Sequence, residues 1–271
     1  MKVKDKTIIV TGAGSGIGRA IVLELLSRGA IVAAVDINDA SLQETKELAG
    51  DAKDRVSTYV VDITNKENVE KLPEQILQNH ANIDGLINDA GIIQPFVKIN
   101  DLDYDAINRV MNVNFYGMLY MTKTFLPYLL KRDEAHVINV SSMGGFLPVP
   151  GQSLYGASKA AVKLLTEGLY AELKNTNVRV SVVFPGATAT NIAKNSGVDT
   201  SKIEAATTDA QQKIKALSAD KAAEIIVNDI EKNRLYIYVG SDSRIMGLLY
   251  RIAPKFATDL ITKQMQALLP D

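Results

Sequence analysis

The chain contains no cysteine, which excludes disulfides, thiolate chemistry and cysteine-based zinc sites. It has no basic excess: 30 lysines and arginines against 31 aspartates and glutamates leave a formal charge of −1, no footprint for nucleic acid or an anionic membrane surface. Histidine is scarce, and His80 and His136 stand far apart without a paired ligand pattern, so no metal site is expected. No segment reaches the ~18 apolar residues of a membrane span. The opening MKVKDKTIIVTG lacks the apolar stretch and small-residue cleavage site of a signal peptide, so a cytoplasmic protein is expected. Linker-like features are missing too: there is no Ser/Gly tract, proline cluster, long charge run or internal repeat. Hydrophobic content of 46% with 23% charged residues then reads as one globular domain over residues 1–271.

What is present is an alternation. Short β-branched runs (Thr7–Val10, Ile31–Val35, Val56–Val61, Ile83–Ile87, His136–Val140, Val178–Val183 and Leu235–Val239) are separated by longer helical patterns, the signature of βαβ units. The runs are nearly unbroken apolar, as in strands covered on both faces. Ile17, Ile21 and Leu25 recur at helical spacing and face the sheet, with Gly29 ending that helix. Asp105–Leu130 and Ser153–Lys174 are the longest helical patterns. Together they predict a single doubly wound Rossmann-type α/β domain with a seven-strand parallel sheet flanked by helices. Residues 191–216 are polar and poorly periodic, an excursion expected to act as a substrate lid. Residues 241–271 read as a C-terminal helical extension that packs on the core or on a partner subunit.

Thr11-Gly12-Ala13-Gly14-Ser15-Gly16-Ile17-Gly18 lies between the first strand and the first helix. Glycines there permit a tight turn and close backbone approach to a pyrophosphate, whose charge the helix N-terminus favours. A glycine-rich turn alone can serve only to turn the chain; its place after a strand and before a helix favours the dinucleotide reading. Asp36 closes the second strand, 18 residues beyond Gly18, where a carboxylate can accept hydrogen bonds from both adenosine ribose hydroxyls. Alone it would also read as a helix cap.

With these residues the chain resembles the short-chain dehydrogenase/reductase family, in its branch of about 250 residues, because TGAGSGIG matches the family's TGxxxGxG fingerprint. The resemblance assigns the turn through Gly12, Ser15, Gly16, Ile17 and Gly18 to the cofactor. It places Asp62 and Ile63 at the adenine and the backbone around Asn88, Ala90 and Gly91 along the adenosine ribose. Asn88-Asp89-Ala90-Gly91 departs from the family's NNAG at its second position, where Asp89 reads as structural. Pro185, Gly186, Thr188 and Thr190 resemble the family's PGxVxT loop, which fixes the nicotinamide carboxamide; Thr188 stands in place of Val or Ile. The resemblance spans roughly residues 5–190. The cofactor it implies is a nicotinamide dinucleotide, and Asp36 narrows that to NAD: it would repel a 2′-phosphate, and neither Ser15 nor Ile37 supplies an offsetting cation.

Tyr155 and Lys159 in YGASK stand four apart at the start of a long helix, which puts both on one face. YxxxK alone fits an ordinary amphipathic helix. Ser142, thirteen residues earlier at the end of the fifth strand, adds weight, because the C-terminal edge of a parallel sheet is where such folds place ligands. The family's catalytic serine has this spacing from its tyrosine, which selects Ser142 over Ser141, and Asn114 in NVNFYG matches the family's fourth catalytic residue. The implied reaction is hydride transfer between a secondary alcohol or ketone and the nicotinamide, the protein moving one proton and polarising one oxygen. Tyr155 is the acid/base, Lys159 its electrostatic partner and ribose ligand, Ser142 the donor to the substrate oxygen, and Asn114 the holder of a water that links Lys159 to solvent. Tyrosine titrates near ~10, so it needs help to act as a base.

The loops after the fourth, fifth and sixth strands are apolar, with Gln94 and Gln152 as neutral hydrogen-bonding groups and no arginine, so a neutral, moderately apolar substrate is expected. Lys98 and Lys194 would spoil that if either turned inward. NDLDYD at 100–105 superficially resembles a calcium loop but has Ala106 and Asn112 where glycine and glutamate are needed, so it reads as a helix cap. The two long helices carry Gly117, Gly168 and alanines, compatible with the subunit pairing of family members, and a homodimer or homotetramer is expected. A non-catalytic nucleotide sensor on the same fold is the alternative; it would need the glycines and Asp36 but not the Asn114–Ser142–Tyr155–Lys159 set. A sugar-nucleotide epimerase is disfavoured by chain length and glycine spacing.

Overall fold

The computed structural model describes residues 1–198 and 216–265 of the 271-residue chain. Its strands are β1 (Thr7–Thr11), β2 (Ile31–Asp36), β3 (Val56–Val60), β4 (Gly85–Asn88), β5 (Ala135–Val140), β6 (Val178–Pro185), β7 (Thr188–Ala189), β8 (Leu217–Ser218) and β9 (Tyr236–Val239). All but β7 and β8 join one parallel sheet, ordered β3-β2-β1-β4-β5-β6-β9, so all seven expected strands are present. Successive side chains enter opposite layers, as the two-residue repeat of a strand requires. Ile8 and Val10 of β1 pack into one core, with Val32 and Ala34 of β2; Ile9, Ala33 and Val35 pack into the other. The first core is covered by α1 (Gly16–Ser27), through Ile21 and Leu25, and by the helix Ala219–Glu231; α2 (Asp39–Leu48) adds Leu42. The second is covered by α3 (Lys66–Asn79), α5 (Met118–Leu129) and α6 (Ser153–Leu173). Strands buried on both sides are why the sequence runs are uniformly apolar rather than alternating.

The strand order reverses between β1 and β4. The chain leaves β1 toward β2 and β3, then returns to β4 on the other side of β1, so the loops after β1 and β4 diverge and leave a crevice at the C-terminal edge of the sheet.

The helical pattern over 105–130 is interrupted. It comprises α4 (Tyr104–Met111), a π-helical segment over Asn112–Gly117, and α5. Asp103 caps α4 by accepting from the Asp105 N–H, as the acidic run 100–105 predicts. Gly117 corrects the expectation that its missing side chain serves a partner subunit: a Cβ there would lie 2.7 Å from Ile63 Cγ1, so the space is needed within the chain. Of the expected lid, residues 191–198 form the short α7 (Ile192–Asn195) and its flanks, and 199–215 lie outside the described residues. The extension holds helices Ser241–Ile252 and Pro254–Met265, which bury Ala257 and Ile261 against Leu147, Phe146 and Tyr250. No described helix is long and apolar enough to cross a membrane, and no described group of acidic or histidine residues could hold a metal ion.

Candidate active site

A cleft of 560 Å³ follows the crevice from β2 to β6. Gly12, Ser15, Gly16 and Ile17 line it, with Asp36, Asp62, Ile63, Ala90, Gly91, Ser142, Tyr155, Lys159, Pro185, Gly186, Thr188 and Thr190. Residues spread over nearly 180 positions thus meet in one site. Gly18, Asn88 and Asn114 do not line the cleft; they support it from behind.

The glycine turn is built for backbone exposure. Gly12 and Gly16 have φ of +70° and +55°, a region that costs a residue with a Cβ. The Asp36 carboxylate accepts from the Gly14 N–H at 2.9 Å and from the Asn38 N–H at 3.0 Å, which fixes it at the end of β2. Asp62 is held likewise, its Oδ1 accepting from the Thr64 N–H and hydroxyl at 2.9 and 2.8 Å. Arg19, the nearest cation in sequence, is committed: it donates to the Gly14 carbonyl and to Thr45 and pairs with Glu44 at 2.6 Å. Asn88 is buried and donates to Thr122 and to Asn139, which ties β4 to β5 beneath the turn.

The reacting end is set by α6. Ser142 accepts from the Gly144 N–H at 3.0 Å, and both Ser142 and Tyr155 line the cleft. Ser141, the alternative that the sequence leaves beside it, is buried and donates to the Lys159 carbonyl at 2.7 Å, so it belongs to the scaffold. Lys159 is 4% exposed and donates to the Val140 carbonyl at 2.9 Å. Burial pulls its ammonium down to about 8, against the pull of the nearby Asp89 carboxylate. Burial also pushes the Tyr155 phenol above its ordinary value; the Ser142 side chain opposes this and Asp89 adds to it.

Asn114 locks the floor. Its Oδ1 accepts from the Ile92 N–H at 2.8 Å, and its Nδ2 donates to the Ile92 carbonyl at 2.9 Å and to Ser158 at 3.0 Å. These bonds need the side chain turned toward the loop after β4, and the wider π turn supplies that direction, a common use of such segments at functional sites. A Cβ on Gly91 would lie 3.1 Å from Lys159 Nζ and 3.3 Å from Asn114 Oδ1, so the absent side chain lets both reach one spot.

Several participants were not visible from the sequence. Gln94 and Gln152 were expected to face the substrate; instead both are buried. Gln94 Oε1 accepts from the Leu154 and Tyr155 N–H groups at 2.8 and 3.0 Å, capping α6 at the turn that carries Tyr155, and Gln152 donates to the Gln94 carbonyl at 2.8 Å. Capping needs an acceptor for the free N–H groups of a first turn, and the chain fetches it from the loop after β4. Phe146 and Leu147, in the apolar loop after β5, pack on the C-terminal helices and do not line the cleft. Arg109 of α4 lines the cleft, although the flanking loops carry no arginine. Asp242 accepts from the Ala187 N–H at 2.7 Å and occupies the space a Cβ on Gly186 would need, bracing the loop after β6. Lys98 and Lys194 are exposed and do not line the cleft.

Residues 6–201 match the family model of short chain dehydrogenases. A putative oxidoreductase, SadH, of Mycobacterium tuberculosis is 32% identical over 252 residues, covering 92% of this chain and 91% of that protein. The 3-oxoacyl-[acyl-carrier-protein] reductase FabG of Thermotoga maritima is 36% identical over 188 residues, 69% of this chain and 75% of that one. Among solved structures, a short chain dehydrogenase/reductase from Burkholderia phymatum in complex with NAD is 26% identical with a TM-score of 0.82, covering 93% of this chain and 96% of that chain. A short chain dehydrogenase from Burkholderia cenocepacia in complex with NADP is 27% identical with a TM-score of 0.78, covering 96% and 99%. The chain belongs to the short-chain dehydrogenase/reductase family of oxidoreductases.

Proposed function

We propose that the protein is an NAD(H)-dependent dehydrogenase or reductase acting on a neutral, moderately apolar secondary alcohol or its ketone. One observation carries this reading: Ser142, Tyr155 and Lys159 converge at one end of a cleft whose other end is closed by Asp36. The missing side chain at Gly14 lets the turn close on Asp36, since a Cβ there would come within 2.9 Å of Asp36 Oδ2. The fixed Asp36 carboxylate suits ribose hydroxyls and opposes a 2′-phosphate, and Arg19, held by Glu44, is not free to offset it. The solved relatives include both an NAD and an NADP complex, so the preference rests on this chain's own residues.

When bound, the nicotinamide accepts or supplies the hydride. Ser142 holds the substrate oxygen by donating its hydroxyl proton, and Tyr155 transfers a proton to or from that oxygen. The raised phenol keeps Tyr155 protonated near neutral pH, the form that donates to a carbonyl. Lys159, four residues along the same helix face, stabilises the phenolate left behind. Gln94 and Asn114 hold the two sides of the site at fixed distances, which such proton transfers require. Exposed Tyr116, Leu164 and Tyr170 on the two long helices, with open space beside Gly168, support assembly as a homodimer or homotetramer.

The deciding experiment screens purified protein against secondary alcohols and ketones while following NADH absorbance, with NADPH in parallel. Turnover of neutral substrates with NADH is the expected result; nucleotide binding without turnover of any of them would leave the sensor reading instead.

A further inference from the structure

The helices Ser241–Ile252 and Pro254–Met265 use only one of their sides within the fold. Inward, the Ser243 hydroxyl donates to the Phe184 carbonyl at 2.8 Å, Asp242 accepts from the Ala187 N–H, Gly247 lies against Tyr238 and Phe146, and Ala257 and Ile261 are buried. Outward, Ile245, Leu248 and Ile252 recur at helical spacing and are 63%, 61% and 74% exposed. Phe256, in the first turn of the following helix, is 60% exposed. Single exposed apolar residues are ordinary, whereas a run of large ones along one helix side marks an interaction surface. Charge follows the same outline. Arg244, Arg251 and Lys255 directly precede Ile245, Ile252 and Phe256, and Lys263 is exposed farther along. Asp259 is the only exposed acid among the described residues 241–265, and it pairs with Lys255 at 2.6 Å. Arg251 donates to the Tyr238 hydroxyl, a neutral partner that leaves its charge uncompensated. The whole-chain charge of −1 hides this local positive excess.

We propose that this face docks on the surface of an anionic phospholipid bilayer, its apolar side chains entering the headgroup boundary while Arg244, Arg251, Lys255 and Lys263 meet the phosphates. An apolar stripe edged by long cationic side chains lets a helix lie in that boundary. A second copy of the chain suits the face poorly, since a two-fold contact sets the same patch against itself and brings like charges together. The face also stands on other helices than the exposed Tyr116, Leu164 and Tyr170 assigned above to subunit pairing. Through Asp242 and Ala187 it is joined to the loop after β6, whose Pro185, Gly186 and Thr188 line the cleft. Docking then holds that part of the cleft near a phase in which apolar alcohols and ketones collect. That consequence rests on the reading of the cleft given above; the docking itself does not.

Co-sedimentation with sucrose-loaded vesicles tests this, phosphatidylcholine alone being compared with phosphatidylcholine plus phosphatidylglycerol. The partition coefficient should be about tenfold or more higher on the anionic vesicles and should fall as salt is raised, because each cation near an anionic leaflet contributes about fivefold. Leu248→Asp with Ile252→Asp should lower it by about tenfold or more. Arg244→Gln with Lys263→Gln, which leaves the apolar stripe intact, should reduce the preference for anionic vesicles by about fivefold or more. Thermal unfolding and sedimentation of both double variants should match the unaltered protein, since all four side chains are exposed. Equal binding to neutral and anionic vesicles, no binding to either, or binding that survives both double variants overturns the inference. A smaller oligomer for Leu248→Asp with Ile252→Asp also overturns it, because the face would then lie between subunits. None of these readouts uses turnover, so their failure leaves the proposed activity standing, and absence of turnover leaves the docking standing.

Discussion

The two ends of the cleft recruit their polar groups differently. At the glycine-turn end, the chain presents backbone: Gly12 and Gly16 take positive φ, and Asp36 is fixed by the N–H groups of Gly14 and Asn38. At the reacting end it presents side chains, each braced by another. Tyr155 depends on Gln94 for the capping of its helix turn, the Ile92 loop on Asn114, and the loop after β6 on Asp242. A backbone-built site needs glycine and little else, whereas a side-chain-built one needs buried partners drawn from distant elements. Substitutions at the first should therefore act on affinity and those at the second on turnover.

The sharpest test of that division is Tyr155→Phe, which leaves the ring and removes only the hydroxyl proposed to carry the proton. Turnover should fall by about 10³-fold while NADH affinity stays within a few-fold; comparable losses in both would blur the two ends into one. Gln94→Ala comes next. It removes the acceptor for two N–H groups at the catalytic turn, and a small displacement of Tyr155 should cost about 10–100-fold in kcat with little change in NADH binding. Asp36→Asn acts at the other end: kcat with NADH should hold, while the preference for NADH over NADPH, read from kcat/KM, narrows by about tenfold or more. The smallest effect is expected from Lys98→Ala and Lys194→Ala. Both side chains are exposed, so the rate ratio for matched neutral and carboxylate-bearing substrates should move by less than about twofold.

The same division explains what could be read from the amino-acid order. The glycine turn, Asp36 and the Tyr155–Lys159 pair are written in short contiguous stretches, where turn geometry and helical spacing act locally. The strands were legible because parallel strands buried on both faces leave uniformly apolar runs. The π segment over Asn112–Gly117 was not, since its hydrophobic pattern fits an ordinary helix and only the bonds from Asn114 to Ile92 and Ser158 reveal the wider turn. Gln94 and Gln152 were misplaced for the same reason: a neutral amide in an apolar loop fits a pocket wall and a buried cap alike. Asp242 supports Ala187 across 55 residues, a partnership that no local pattern announces. Arg109 reaches the cleft from a helix not adjacent to it in the chain.

One small element bears on how such an enzyme can change over time. Thr188 and Ala189 of β7 pair with Leu217 and Ser218 of β8, and the Leu217 N–H also bonds the Ala187 carbonyl at 2.9 Å. The two ends of the segment between them are thus pinned side by side, next to the loop after β6. Once the two ends of a loop are pinned together, its length matters little to the fold, each doubling costing only about 0.6 kcal/mol of closure entropy. Insertions and deletions there can accumulate under selection for new substrates while the sheet, the turn and the catalytic helix are inherited unchanged.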